Sequence, residues 1–193
     1  MNTLLLCVLS YLIGAIPFAL IVGKWFYKVD VRTLGSGNLG STNVFRNLGK
    51  KAGISVLLCD VLKGTGAASL PFFFHTTDNP LLIGLFAIIG HSFTVFAKFK
   101  GGKSVATTIG VFLFCMPYGF LCALAVFLLA LKWSKYVSLS SILSIFTLFV
   151  YAVVSVNVYA IIISFIIFLF ITLRHKQNLI RIKQKTEPKV TWI

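Results

Sequence analysis

Acidic residues are almost missing from this 193-residue chain: there are four, Asp30, Asp60, Asp78 and Glu187, and they are scattered. A carboxylate cage for a hard divalent cation needs several oxygen ligands from one neighbourhood, so no metal is expected. Cysteine is as sparse. Cys7, Cys59, Cys115 and Cys122 all lie inside apolar runs, without CxxC spacing or histidine partners. That pattern argues against a disulfide framework and a zinc site, and leaves packing as their use. Charged residues of either sign make up 11% of the chain, against 58% hydrophobic residues and 19 Phe, and the mean hydropathy is +0.96. A soluble domain of this length does not use so much apolar surface to build one core. The solvent is therefore lipid.

A spanning helix needs about 20 apolar residues, and such stretches occur at Leu4 to Val22, Ile54 to Phe74, Leu81 to Phe96, Val105 to Leu131 and Val137 to Leu173. The first has no basic residue ahead of it and exceeds the apolar run of a secretory signal, so it reads as a retained helix. Lys24, Lys28, Arg32, Arg46, Lys50 and Lys51 follow it. The positive-inside rule then places the N-terminus outside and this loop in the cytoplasm. Proline breaks helix interiors, so Pro117 divides Val105 to Leu131 into two short helices, and Val156-Asn157 divides the last block. The expected fold is an all-α integral membrane protein of about seven transmembrane helices, N-terminus outside and C-terminus cytoplasmic, forming a single domain over residues 1–193. Of the 18 Lys and Arg, all but Lys63 then fall in cytoplasmic segments. The formal charge of +14 suits anionic lipid and anionic substrates, and no nucleic acid is called for.

Four stretches carry chemistry. The loop Gly35-Ser36-Gly37-Asn38-Leu39-Gly40-Ser41-Thr42-Asn43-Val44-Phe45-Arg46 is glycine-rich and polar and leads into a short helix capped near Ser41 or Thr42. Its backbone N–H groups can form an anion nest, with Arg46 as a bidentate phosphate clamp. The second stretch runs from Gly90-His91-Ser92 to Lys98-Phe99-Lys100-Gly101-Gly102-Lys103-Ser104. It nearly spells a nucleotide P-loop, but Ala97 stands where that motif wants glycine and a membrane helix replaces the strand. What remains is a paired-glycine turn presenting Lys103 to an anion, with Lys98 and Lys100 read as solvated or lipid-facing. Asp60 and Lys63 stand three apart, deep in the second span. Intramembrane ionisable groups are functional candidates by default, although these two can also neutralise each other. Last, Arg174, Asn178 and Arg181 share a helical face beside His175, with Glu187 the sole acid of a basic tail.

With these residues in view, the chain resembles the bacterial acyl-phosphate-dependent glycerol-3-phosphate acyltransferase family over nearly its whole length. The resemblance is carried by GSGNLGSTNVFR at Gly35 to Arg46, GHSFTVFAKFKGGKSVAT at Gly90 to Thr107, RHKQNLIRIKQKTEP at Arg174 to Pro188, and DVLKG at Asp60 to Gly64. The family usually shows Ala at Ser41, Pro at Thr94, and Gly at Ser104 and at Lys185. The resemblance implies an acyl transfer from acyl phosphate to glycerol 3-phosphate, without cofactor or metal, at the cytoplasmic face of the cell membrane. Membrane lipids are then its surroundings, and the enzyme that makes acyl phosphate is a candidate partner. By similarity, Ser36, Arg46, His175 and Asn178 are the catalytic candidates, and Gly35, Gly37, Asn38, Thr42 and Asn43 hold the donor phosphate beside the acyl carbonyl. Gly101, Gly102 and Lys103 hold glycerol 3-phosphate, and Lys63, His91, Arg174, Arg181 and Glu187 complete the substrate-binding set. The general base is left open between His91, His175 and a substrate phosphate oxygen.

Two other readings fit less well. A CoA-dependent acyltransferase carries His and Asp five positions apart, but His75, His91 and His175 are followed at that distance by Pro80, Phe96 and Ile180. A transporter for phosphorylated metabolites wants inverted repeats and a midplane site, whereas these motifs cluster on one face and no repeat is evident.

Overall fold

The structure is a computed structural model that describes residues 2–190. These fall into two compact units, Met1–Cys115 and Met116–Ile193, whose regular secondary structure is all helical among the described residues.

The first unit opens with α1 (Thr3–Ala15), whose N-cap Asn2 accepts from the Leu4 N–H at 3.0 Å. Pro17 has no N–H and its ring crowds the preceding turn, so the helix stops and restarts as α2 (Phe18–Tyr27). The apolar run at Leu4 to Val22 is thus broken, although Thr3–Tyr27 as a whole is long and apolar enough to cross a membrane. The break frees two carbonyls, and both find buried donors: the Thr94 hydroxyl donates to Ala15 O, and Lys63 Nζ donates to Ile16 O at 2.9 Å.

Beyond α2, Asp30 caps a single 3-10 turn at Val31–Thr33. The polar loop then leads into α3 (Ser41–Leu48), whose N-cap is Gly40 rather than Ser41 or Thr42. Gly49, with φ of 89°, turns the chain into α4 (Lys50–Ala68), and α5 (Leu70–Phe73) is one further turn. In α6 (Pro80–Ser92), Asn79 caps the N-terminus by accepting from Leu81 N–H at 2.9 Å, and Pro80 fills the first turn, where its missing N–H costs nothing. A 3-10 turn at Val95–Ala97 precedes α7 (Val105–Cys115). Helices α4 and α7 lie backbone to backbone: a Cβ at Gly64 would strike the Thr107 carbonyl, and one at Gly110 would strike that of Val61. Small residues permit such approach inside a membrane, where tight packing replaces the hydrophobic drive.

In the second unit Met116, at φ −145° and ψ 70°, stands outside helical geometry, and α8 (Pro117–Ser134) begins beside it. The division expected at Pro117 is present. Left-handed Lys135 ends α8 and the chain returns as α9 (Val137–Val154), held to α8 by Ser144 Oγ donating to Ala123 O at 2.9 Å. Asn157 caps α10 (Val158–Arg174), and α11 (Lys176–Lys183) follows at a bend of 55°.

By length and composition, four stretches among the described residues can cross a membrane, or five if the bent α10 and α11 count as one. The two others expected from sequence differ in kind. Helix α4 carries Lys50, Lys51, Asp60 and Lys63, and α7 has 11 residues, about 16 Å at 1.5 Å each, roughly half a bilayer core.

Candidate active site

The glycine-rich loop is built around a buried amide. Asn43 is 5% exposed. Its Oδ1 accepts from Ser36 N–H at 3.1 Å, Ser36 Oγ at 3.2 Å and Asn47 Nδ2 at 3.1 Å. Its Nδ2 donates to Val31 O and Leu34 O, both at 3.1 Å. Every polar valence of that side chain is thus turned into the loop. Asn43, in the substrate-binding set implied by the resemblance, organises the exposed Ser36 beside it. Gly35 and Gly37 have φ of 52° and 68°, a left-handed geometry that side chains tolerate poorly, and between them Ser36 is exposed.

The second motif meets the first. A cavity of about 430 Å³ is lined on one side by Ser36, Gly37 and Asn38 with Arg32, and on the other by Lys98, Lys100 and Gly101. Lys98 and Lys100, exposed as expected of solvated residues, also line this cleft. The reason is local backbone: Lys98 and Phe99 are both left-handed, at φ 55° and 59°, which no residue type in that stretch announces. Arg32 donates to Asp30 from Nη2 at 2.6 Å and from Nε at 3.0 Å. These bonds hold the Asp30 carboxyl well below the usual carboxylate range despite its partial desolvation, so Asp30 stays ionised and offsets Arg32. The two lysines supply the uncompensated positive charge.

The paired-glycine turn is fixed from beneath. Gly101 N–H donates to Ser92 O and Gly102 N–H to His91 O, each at 3.0 Å. A Cβ at Gly102 would enter the His91 imidazole, so glycine is required here by contact. His91 is buried, with Nδ1 3.5 Å from Asp60 Oδ1. Lys63 Nζ lies 2.7 Å from the same oxygen. Lys63, in the substrate-binding set implied by the resemblance, pairs with Asp60 and donates to Ile16 O, and is not among the residues that line the cleft. Arg46 stands exposed in the last turn of α3, Thr42 is half-buried in its first, and Lys103 is half-buried after the turn. None of these three is among the residues that line the cleft.

In the second unit, Glu187 is buried and fully engaged. Its Oε1 accepts from Asn178 Nδ2 at 2.7 Å and from Ser138 Oγ at 3.2 Å, and its Oε2 from Arg181 Nε at 2.7 Å. Burial pushes its carboxyl up, but the three donors and the Arg181 charge outweigh that and hold it below its ordinary value. Glu187 and Arg181, both in the substrate-binding set implied by the resemblance, form an ion pair with each other here. Asn178 belongs to the same cluster. His175 is buried at the α10–α11 bend, its Nδ1 2.9 Å from Ile171 O, and Arg174 ends α10. The bend before Glu187 is made by left-handed Lys185, at φ 58°, where the family usually shows glycine. Left-handed Ser104, at φ 62°, is the parallel case, with its hydroxyl donating to Ile88 O at 2.6 Å.

Residues 4–185 match the family model described as Glycerol-3-phosphate acyltransferase. The chain belongs to that family. Glycerol-3-phosphate acyltransferase 2 of Bacillus anthracis is 54% identical over 98% of this chain and 100% of its own length. Glycerol-3-phosphate acyltransferase of Bacillus subtilis (strain 168) is 50% identical over 98% of each. Among solved structures, the glycerol 3-phosphate form of PlsY (YgiH), an integral membrane glycerol 3-phosphate acyltransferase, superposes with a TM-score of 0.90 at 37% identity, covering 97% of this chain and 95% of that one. Its lysophosphatidic acid form gives 0.87 at 36%. Against the family motifs read from sequence, the residues overlooked are Arg32, Lys98 and Lys100 at the cleft and Ser138 beneath Glu187. Arg32 and the two lysines were visible as charges flanking glycine turns. Ser138 gave no signal, being one Ser among several on α9.

Proposed function

We propose that the chain transfers the acyl group of an acyl phosphate to glycerol 3-phosphate, giving lysophosphatidic acid and inorganic phosphate, a first step of phospholipid synthesis. The observation that carries this reading is the cleft that joins the glycine turn at Ser36 to Asn38 with Lys98, Lys100 and Gly101. Two glycine turns around one cationic cavity suit two small phosphates, one per substrate. Family membership supplies the acceptor.

An acyl phosphate is already activated. The acceptor hydroxyl oxygen bonds to the acyl carbon, the carbon–oxygen bond to phosphate breaks, and phosphate departs with the electron pair. The exposed Ser36 hydroxyl, Lys98, Lys100 and Arg46 stabilise charge developing on the carbonyl and phosphate oxygens, while the N–H groups of Ser36, Gly37 and Asn38 donate within the loop and hold its shape, and Thr42 lies on the same helix start. Gly101, Gly102 and Lys103 hold glycerol 3-phosphate. The hydroxyl proton goes to a phosphate oxygen of a substrate, a route favoured by the burial of His91 and His175, each with Nδ1 turned toward protein. The catalytic roles of His175 and Asn178, and a binding role for Arg174, rest on the family resemblance.

The same reading has residues 1–193 working as one domain, seven spans with the N-terminus outside, and the cleft open to the cytoplasm at the cell membrane. No cofactor or metal takes part, and the enzyme that makes acyl phosphate supplies the donor. Purified protein in detergent with EDTA should convert acyl phosphate and glycerol 3-phosphate to lysophosphatidic acid and phosphate, with no nucleotide added. Efficient turnover with acyl-CoA, or an absolute need for Mg²⁺, overturns the donor assignment.

A further inference from the structure

The deepest charges of the first unit touch no part of the cleft. Asp60 and Lys63 have side chains 2% and 3% exposed and lie 2.7 Å apart. Ionised groups at such depth are costly even when paired, and apolar residues of similar volume commonly replace a buried pair without loss. A charge kept there invites a reason beyond packing. Lys63 has one: it satisfies the Ile16 carbonyl freed by Pro17. Asp60 has two partners, since its Oδ1 also faces His91 Nδ1 at 3.5 Å.

His91 is the link to the cleft. Its carbonyl accepts the Gly102 N–H, and its ring edge at Nε2 lies so close to Gly102 that any Cβ there would enter it. A rotation of the imidazole would therefore displace the turn. Gly101, next in that turn, lines the cleft. A carboxylate facing one ring nitrogen fixes ring orientation, as it does for histidines that must hold a set direction.

We propose that Asp60 is a positioning residue for the acceptor substrate: through His91 it sets the Gly101–Gly102 turn at the cleft, separately from its pairing with Lys63. The inference rests on the reading of that turn as the glycerol 3-phosphate site. The two tasks of Asp60 can be taken apart. Lys63→Met alone strands a buried carboxylate and should accumulate poorly in membranes. Asp60→Leu/Lys63→Met removes both charges and should recover accumulation and thermal stability, yet take away the oxygen that faces the ring. Its KM for glycerol 3-phosphate should rise about tenfold with kcat within about twofold, the pattern of lost uniform binding. His91→Phe keeps the Asp60 and Lys63 side chains in place and should show the same split, which covers the case in which the double variant fails to fold.

Gly101→Ala serves as the control, since a Cβ there would meet the His91 carbonyl. It should raise the same KM. Adding it to either variant should raise KM by clearly less than the product of the separate effects, because all act through one turn. An unchanged KM in folded Asp60→Leu/Lys63→Met or His91→Phe, with Gly101→Ala raised, overturns the positioning role alone. Full multiplicativity does the same. An unchanged KM in Gly101→Ala overturns the acceptor-site reading and this inference with it.

Discussion

Asn43 Oδ1 accepts twice from Ser36, from its backbone N–H at 3.1 Å and from its hydroxyl at 3.2 Å. The loop's exposed hydroxyl is thus aimed by a residue that is itself buried. Asn43→Ala would orphan the Ser36 N–H and the Val31 and Leu34 carbonyls, a loss of about 2–4 kcal/mol at about 1 kcal/mol or more each. Turnover should fall nearly as far as in Ser36→Ala. Asn43→Asp keeps the acceptor but turns an oxygen toward two carbonyls, so thermal unfolding in detergent should come earlier still. Wild-type turnover in Asn43→Ala would show that Ser36 needs no aiming.

Ser36→Ala and Arg46→Ala should each remove nearly all turnover while membrane insertion is unchanged. Both side chains are exposed, so neither substitution opens a core cavity. Acyl-transfer assays on membranes with matched protein content check this, and full activity in Arg46→Ala would make the first motif a plain connector.

Lys98→Gln and Lys100→Gln should lower kcat/KM for anionic substrate several-fold at low ionic strength, and less at high salt, where a Debye length of about 8 Å or below screens the cleft. Equal ratios to wild type across a salt series would mean that the lysines play no part in gathering substrate.

The expected orientation predicts that, with Cys7, Cys59, Cys115 and Cys122 replaced, Pro117→Cys labels from outside intact cells and Ser134→Cys only after the cytoplasm is opened. Inner access at 117 or outer access at 134 would refute the seven-span arrangement.

Glu187 should make the second unit acid-sensitive. Its folded pKa lies below its ordinary value, so its contribution to stability is fully present above the unfolded value of about 4.3. That contribution is lost as pH falls from there through the lowered folded value. Glu187→Gln should flatten this part of a stability-against-pH curve and cost about 2 kcal/mol at neutral pH, because Arg181, 37% exposed, recovers some hydration. An unchanged acid profile would show that the cluster does not couple to folding.

Much of this was written in one dimension. Lipid as solvent forces apolar runs of fixed length, so the helical class and most helix positions follow from hydropathy, and Pro117 divides its stretch because proline cannot continue a helix. The two glycine turns were legible for the same kind of reason. Gly35, Gly37, Gly101 and Gly102 mark places where backbone must take a left-handed turn or approach closely, and polar neighbours mark what such backbone can bind.

Direction and partnership were not legible. That Lys98 and Lys100 turn into the cleft depends on two consecutive left-handed residues that are not glycine, a conformation that local preference argues against and the surrounding fold imposes. That Asn43 turns inward depends on how its own loop closes over it, and that Lys63 reaches a carbonyl 47 residues away and Ser138 lies beneath Glu187 depends on contacts between distant segments. Sequence by itself determined the solvent, the helices and the chemical alphabet of the site, because those follow from composition and short-range sterics. Tertiary structure decided which polar groups face substrate and which are consumed inside, because a buried donor or acceptor must be satisfied by whatever the packed chain brings within about 3 Å of it.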